Sequence, residues 1–192
     1  RPPRLYKPPY LSLSILGAIT TTLLPDAEII DHEYIGGKVI YKLPKGEIYI
    51  HADMDIDADG SPRAEEIDPG YGQIQTSLSY NGQYVNSEKI PYFVLPMNFY
   101  KKYGIKLGDI GAVIYKDKIS YAIFADVGPK NKIGEGSIQL AKLLGHNPFN
   151  RNGKIAYSIP GDVIYIAFPG SGDSTPQEPN QINIYGKELF KN

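Results

Sequence analysis

The stretch Glu47–Ile56, EIYIHADMDI, admits few backbone conformations. Ile48, Ile50, Ala52, Met54 and Ile56 recur at every second residue, with Asp53 and Asp55 between them and Asp57 directly after. A strand sends successive side chains to opposite faces, so this spacing sorts the apolar residues to one side and the aspartates to the other. The segment is expected to be a strand with a buried face and an acidic face. A turn at Pro44–Gly46 separates it from a second strand, KVIYKL, over 38–43.

The rest of the chain supports a mainly β fold. Glycine (20) and proline (16) are abundant, and long helical patterns are few. Strands are expected over 73–79 and 92–95, with a helical turn within 96–103. The clearest hairpin joins 105–115 to 119–125 through Lys116–Lys118. Ser137 is a fitting N-cap for a short helix over 138–144 that Gly145 ends. A buried strand follows over 162–168, and a last short element over 182–190. With 192 residues, one domain with a real core is expected. Residues 41–192 make that domain, and the proline-rich start belongs to an arm over 1–40 that packs on it.

Charge excludes several functions. Twenty basic residues against 21 acidic ones leave no basic surface for nucleic acid. Tyr10–Leu24 is mildly apolar but too short and broken to span a membrane. The absence of cysteine removes disulfides, thiol nucleophiles and cysteine–zinc sites. His32, His51 and His146 lack metal-ligand spacing. No phosphate loop, nucleophile elbow or cofactor motif is present, so no cofactor is expected.

Two features carry candidate chemistry. Asp126 closes the second strand of the hairpin, and Glu135 follows after a glycine- and lysine-rich loop, just before the Ser137 helix. Two carboxyl groups facing one cleft are what acid–base cleavage of a glycosidic bond needs. The helix end and the nearby Lys130 and Lys132 favour ionised carboxylates. That argument makes Glu135 the base and Asp126 the acid, an assignment that desolvation would reverse. Spacing alone fits equally a turn aspartate and a helix-start glutamate.

The second feature is the acidic row itself. Residues 53–68 hold seven acidic groups, from Asp53 to Asp68, against Arg63 alone. The row could bind a cationic ligand. It could also form a calcium loop from Asp55 through Asp57, Asp59 and Gly60 to Glu66, although Pro62 and the flanking strands argue against that. A solvated edge that resists aggregation is the third reading. Tyr71, Tyr80 and Tyr84, in polar surroundings, could stack on sugar rings.

Four segments resemble the family 75 glycoside hydrolases, endo-chitosanases of fungi and bacteria. They are ADMDIDADG (52–60), IPYFVLPMNF (90–99), YAIFADVGPKNKIGEGSIQLAKLLG (121–145) and DVIYIAF (162–168). The resemblance implies Asp126 and Glu135 as the catalytic pair of an inverting hydrolase of β-1,4 glucosamine linkages. It implies Asp53, Asp55 and Asp57 as the substrate-binding row; Tyr121, which opens the third segment, is expected to bind substrate too. Ala58 stands where fungal members carry a cysteine, which favours a bacterial type. A looser similarity of residues 104–145 to double-psi β-barrel domains implies a six-stranded barrel with one or two short helices. That second group points to peptidoglycan, so a muramidase or lytic transglycosylase is the alternative, and a non-catalytic carbohydrate-binding module a further one. The expected partner is a polysaccharide, acted on by a secreted monomer with no metal.

Overall fold

The computed structural model describes residues 26–31 and 40–191. Of the arm expected over 1–40, residues 26–31 and 40 are among them; its other residues, His32 included, lie outside. Among the described residues, ten strands and four short helices follow one another: β1 (Glu28–Asp31), β2 (Ile40–Lys42), β3 (Ile48–Asp57), α1 (Ala64–Ile67), β4 (Ser79–Tyr80), β5 (Gln83–Tyr84), β6 (Tyr92–Pro96), α2 (Phe99–Lys102), β7 (Ile110–Tyr115), β8 (Lys118–Gly128), β9 (Glu135–Ser137), α3 (Ile138–Leu143), β10 (Ile159–Ala167) and α4 (Pro179–Lys191).

Six strands close on themselves in the order β3–β10–β7–β8–β6–β9, and β9 returns to β3. This is the six-stranded barrel expected. Closure pairs strand edges that would otherwise be open. Most neighbours run antiparallel, but β6 pairs with β8, and β3 with β9, in parallel. β1 and β2 extend the sheet beside β3.

The apolar patterning explains the closure. In β3, Ile48, Ile50, Ala52, Met54 and Ile56 all enter one buried cluster, with Val163, Tyr165 and Ala167 of β10, Phe93 and Leu95 of β6, and Ala122 and Phe124 of β8. The alternate residues of those strands, including Tyr92, Val94, Ile123, Ala125, Ile164 and Ile166, enter a second cluster with Ile182 of α4. β6, β8 and β10 are therefore buried on both faces, which is why they read as near-continuous apolar runs. Phe93 and Phe124 stack across the parallel pair, with ring centroids 6.0 Å apart.

Buried polar groups act as staples. Asp109, fully buried at the start of β7, accepts backbone N–H bonds from Lys106, Gly170 and Gly172. The Leu-Gly-Asp segment thus ties two loops to the barrel. Ser137 caps α3, its hydroxyl accepting from the Leu140 N–H at 3.1 Å, as its position predicts.

Local differences from expectation have simple causes. The predicted strand over 73–79 is a loop apart from Ser79, because its residues bond to the site rather than to a ladder. Residues 105–109 form a turn ahead of β7. The expected last element is a helix of 13 residues. β8 runs three residues past its predicted end, so Asp126 lies inside a strand and not after one.

Candidate active site

The placement of Asp126 begins with a bulge. Along β6 and β8, Phe93 pairs with Phe124, but Val94 pairs with Asp126, so Ala125 is the extra residue. A bulge turns a strand locally and re-aims its side chains. Here the Ala125 carbonyl leaves the ladder and accepts the Leu78 N–H at 2.8 Å. On its other edge Val94 pairs with Glu135, and Glu135 pairs with Asp55 of β3. One row across four strands therefore reads Asp55, Glu135, Val94, Asp126. Paired residues in a sheet share a face, so three carboxylates point the same way. Asp126 and Glu135 sit two strand spacings apart, about 10 Å between Cα atoms.

These residues line an open cleft of about 440 Å³, together with Asp57, Asp59, Asp68, Tyr71, Gln73 and Lys132. Among the expected site residues, Asp126, Glu135, Asp55 and Asp57 are brought together there. Asp53 and Tyr121 do not line it. Asp53 packs against the loop at Gly134, and its carbonyl accepts from Tyr165 Oη at 2.7 Å. Tyr121 lies beneath α4, edge-on to Phe190 at 6.2 Å, with Gly186 so near that a Cβ there would stand 2.3 Å from its ring. The match around Asp126 marks the strand correctly, but alternation turns Tyr121 toward the helix.

The carboxyl groups have different surroundings. Asp126 Oδ1 accepts from the Ser77 N–H (2.8 Å), the Ser77 hydroxyl (2.6 Å) and the Val127 N–H (2.9 Å). Three donors on one oxygen fix the orientation of this carboxyl group. Glu135 is mostly buried, and burial raises it above the ordinary glutamate range. Lys132 partly offsets this, with Nζ 3.4 Å from Glu135 Oε1 and 3.1 Å from Asp55 Oδ2. Lys132 itself loses basicity to burial but gains more from Glu135 and Asp55, so it is raised overall.

Asp57 and Asp59 form the second acidic layer. Asp57, only 7% exposed, is pushed well up by burial and then by the charges of Asp59, Glu135 and Asp126. Asp59 is raised to about 7, by burial first and then by the neighbouring Asp126 carboxyl, against the Gln73 N–H that donates to its Oδ1 at 2.8 Å. Oxygens of Asp57, Asp59 and Asp126 lie within 4.8 Å of one another. That spacing suits either a cation or a shared proton. The calcium loop is not assembled as spelled: Glu66 turns to Arg63 at 3.5 Å, and Asp55 to Lys132.

Gly134 explains how Glu135 reaches the cleft. Its φ is +96°, and a Cβ would fall 2.4 Å from Asp53 Oδ1 and 2.7 Å from the Asp53 carbonyl. Only glycine lets the loop lie this close to β3 before β9 begins. Sequence reasoning missed Ser77 and passed over Asp59 as a site residue. Asp59 sits in the acidic row and was available to it. Ser77 lies 49 residues from Asp126 and carries no local signal. His146 donates to the Tyr157 carbonyl, and neither it nor His51 lines the cleft.

A closed β-barrel with an open, carboxylate-lined cleft at its surface, three of whose acids are desolvated, has the attributes of a hydrolase that works by proton transfer. The family model described as fungal chitosanase of glycosyl hydrolase group 75 matches residues 54–191, and the chain belongs to that family. It is a glycoside hydrolase of the chitosanase class, and its substrate is a polysaccharide; of the two polymers the sequence left open, the family selects chitosan. No curated protein matches the chain.

Proposed function

We propose that the protein is an endo-acting, inverting chitosanase that cleaves β-1,4 glucosamine linkages with Glu135 as general acid and Asp126 as general base. The observation that carries this is the row Glu135–Val94–Asp126, which sets the two carboxyl groups on one face across a single intervening strand. Inverting enzymes separate their carboxyls by about 6.5–9.5 Å to admit a water, and two strand spacings suit that range.

The roles follow from surroundings and reverse the expectation drawn from helix charge. Burial outweighs the helix end at Glu135 and favours its protonated form. Glu135 gives its proton to the leaving glycosidic oxygen as the C1–O bond breaks. Asp126, held in place by its three donors, takes a proton from the water whose oxygen bonds to C1 from the opposite face. Asp59, raised to about 7, limits repulsion within the cluster while it holds its proton. Asp55, Asp57 and Asp59 line the cleft as carboxyl groups that a cationic sugar can pair with, its charge favouring their ionised forms. A substrate of polymer size supports the proposal that the enzyme acts outside the cell, as a secreted monomer.

Incubation of the purified protein with chitosan tests the reading. Oligomers of intermediate length should appear early, and Glu135→Gln and Asp126→Asn should each lower kcat about 10²–10⁴-fold. No oligomer release, or variants equal to wild type, would sink it.

A further inference from the structure

A second groove of about 450 Å³, as large as the cleft, lies between the β4–β5 hairpin and the segment leading into α4. Its lining includes Tyr80 and Gln83, which pair across the hairpin and share a face, with Tyr84 next to them, Lys89, and Gln177 and Glu178 from the segment before α4. Tyr80 is 57% exposed and Tyr84 37%, so neither ring is spent on the core.

Both walls are rigid. The hairpin turns on Asn81 and Gly82 at φ 49° and 73°, the two left-handed residues that match the twist of a two-residue turn. Val85, just after it, donates to Thr76 Oγ1 at 2.9 Å. Opposite, Asp173 Oδ1 accepts from the Thr175 N–H (3.0 Å), the Thr175 hydroxyl (2.6 Å) and Gln177 Nε2 (3.3 Å). A groove preformed in this way loses little conformational entropy when it binds.

Its chemistry differs from that of the cleft. Tyrosine faces offer flat apolar surface for the faces of pyranose rings, and the Gln83 and Gln177 amides offer donors and acceptors to hydroxyls. Lys89 and Glu178 balance in charge, so the groove lacks the cleft's selectivity for cations. Both sites hang on one excursion of chain between α1 and β6: Gln73 lines the cleft, Ser77 holds Asp126, and β4 begins at Ser79.

We propose that this groove is an ancillary binding site for a stretch of the polysaccharide whose cleavage occurs in the cleft, N-acetylated units included. The occupant named here rests on the chitosanase reading. Two engaged sites on one polymer raise avidity for long chains and add nothing for chains too short to span both.

The test compares long chitosan with a glucosamine hexamer as substrates for Tyr80→Ala/Tyr84→Ala, and for Gln83→Ala/Gln177→Ala, which leaves the tyrosines in place. Both should lower kcat/KM on the polymer about tenfold through KM and keep the hexamer within about twofold of wild type. Equal loss on both substrates, or loss on neither, overturns the proposal. Co-sedimentation of the Glu135→Gln protein with particulate chitosan reads the groove without turnover. The tyrosine substitutions in that background should release most of the bound protein, and undiminished binding overturns the site. If wild type leaves chitosan uncleaved, the catalytic reading fails while co-sedimentation still judges the groove. A dimer that depends on Tyr80 and Tyr84 would assign this face to a second copy of the chain and refute the sugar site.

Discussion

At the scale of single residues, the site works through unequal environments for chemically similar groups. Glu135 is desolvated and raised, whereas Asp126 is fixed by three donors on one oxygen. Lys132 moderates the first of these. Its removal by Lys132→Met takes away the charge that pulls Glu135 down, so Glu135 should keep its proton to higher pH. The alkaline limb of kcat/KM should then move upward, and a limb that stays put or moves down would contradict the role of Glu135 as acid. Ser77 matters in the same way to Asp126. Ser77→Ala deletes the hydroxyl that donates to Asp126 Oδ1 at 2.6 Å, and should lower unfolding free energy by about 2 kcal/mol in a denaturant titration. Of these residues, the acidic row was legible from types and spacing, whereas the Asp126–Glu135 pair stood out only through the resemblance of the segments around it. Ser77 was not legible, because its partner is distant in sequence and a serine in a loop has no pattern of its own.

At the scale of elements, the barrel strands were legible because they alternate or run apolar. The loop over 73–78 was misread as a strand because Ile74 and Leu78 suggest one; its Ser77 N–H and Leu78 N–H are instead used by Asp126 and by the Ala125 carbonyl. The bulge at Ala125 was hidden for a related reason. Register belongs to the pairing of two strands, and neither strand spells it alone. The turn before β9 makes a sharper demand. Gly134→Ala would place a Cβ against Asp53 at a left-handed φ, and should destabilise the fold by about 2–4 kcal/mol, read as a fall in the urea midpoint. A variant of wild-type stability would mean that the 130–134 loop does not lie against β3.

At the scale of the whole molecule, the protein gathers acidic groups in one cleft at a cost to stability that depends on pH. Asp57, Asp59 and Glu135 are all raised in the folded state. A raised carboxyl binds its proton more tightly folded than unfolded. Its stabilising effect is therefore complete below the unfolded value of about 4 and is lost as pH rises through the folded one. Asp59, raised to about 7, should make unfolding free energy decline between about pH 4 and pH 7. Denaturant titrations across that range should show the decline, and Asp59→Asn should flatten it; a wild type that gains stability over the same range would refute the protonated cluster. Such an acid-rich cleft suits a cationic polymer, which would replace the lost protons with its own charge. In the proposed mechanism Glu135 and Asp126 act on opposite faces of a glucosaminide bond, and proton NMR of the reducing ends released in the first minutes of chitosan hydrolysis decides this. The α-anomer should appear first and then mutarotate, whereas initial release of the β-anomer would contradict inversion.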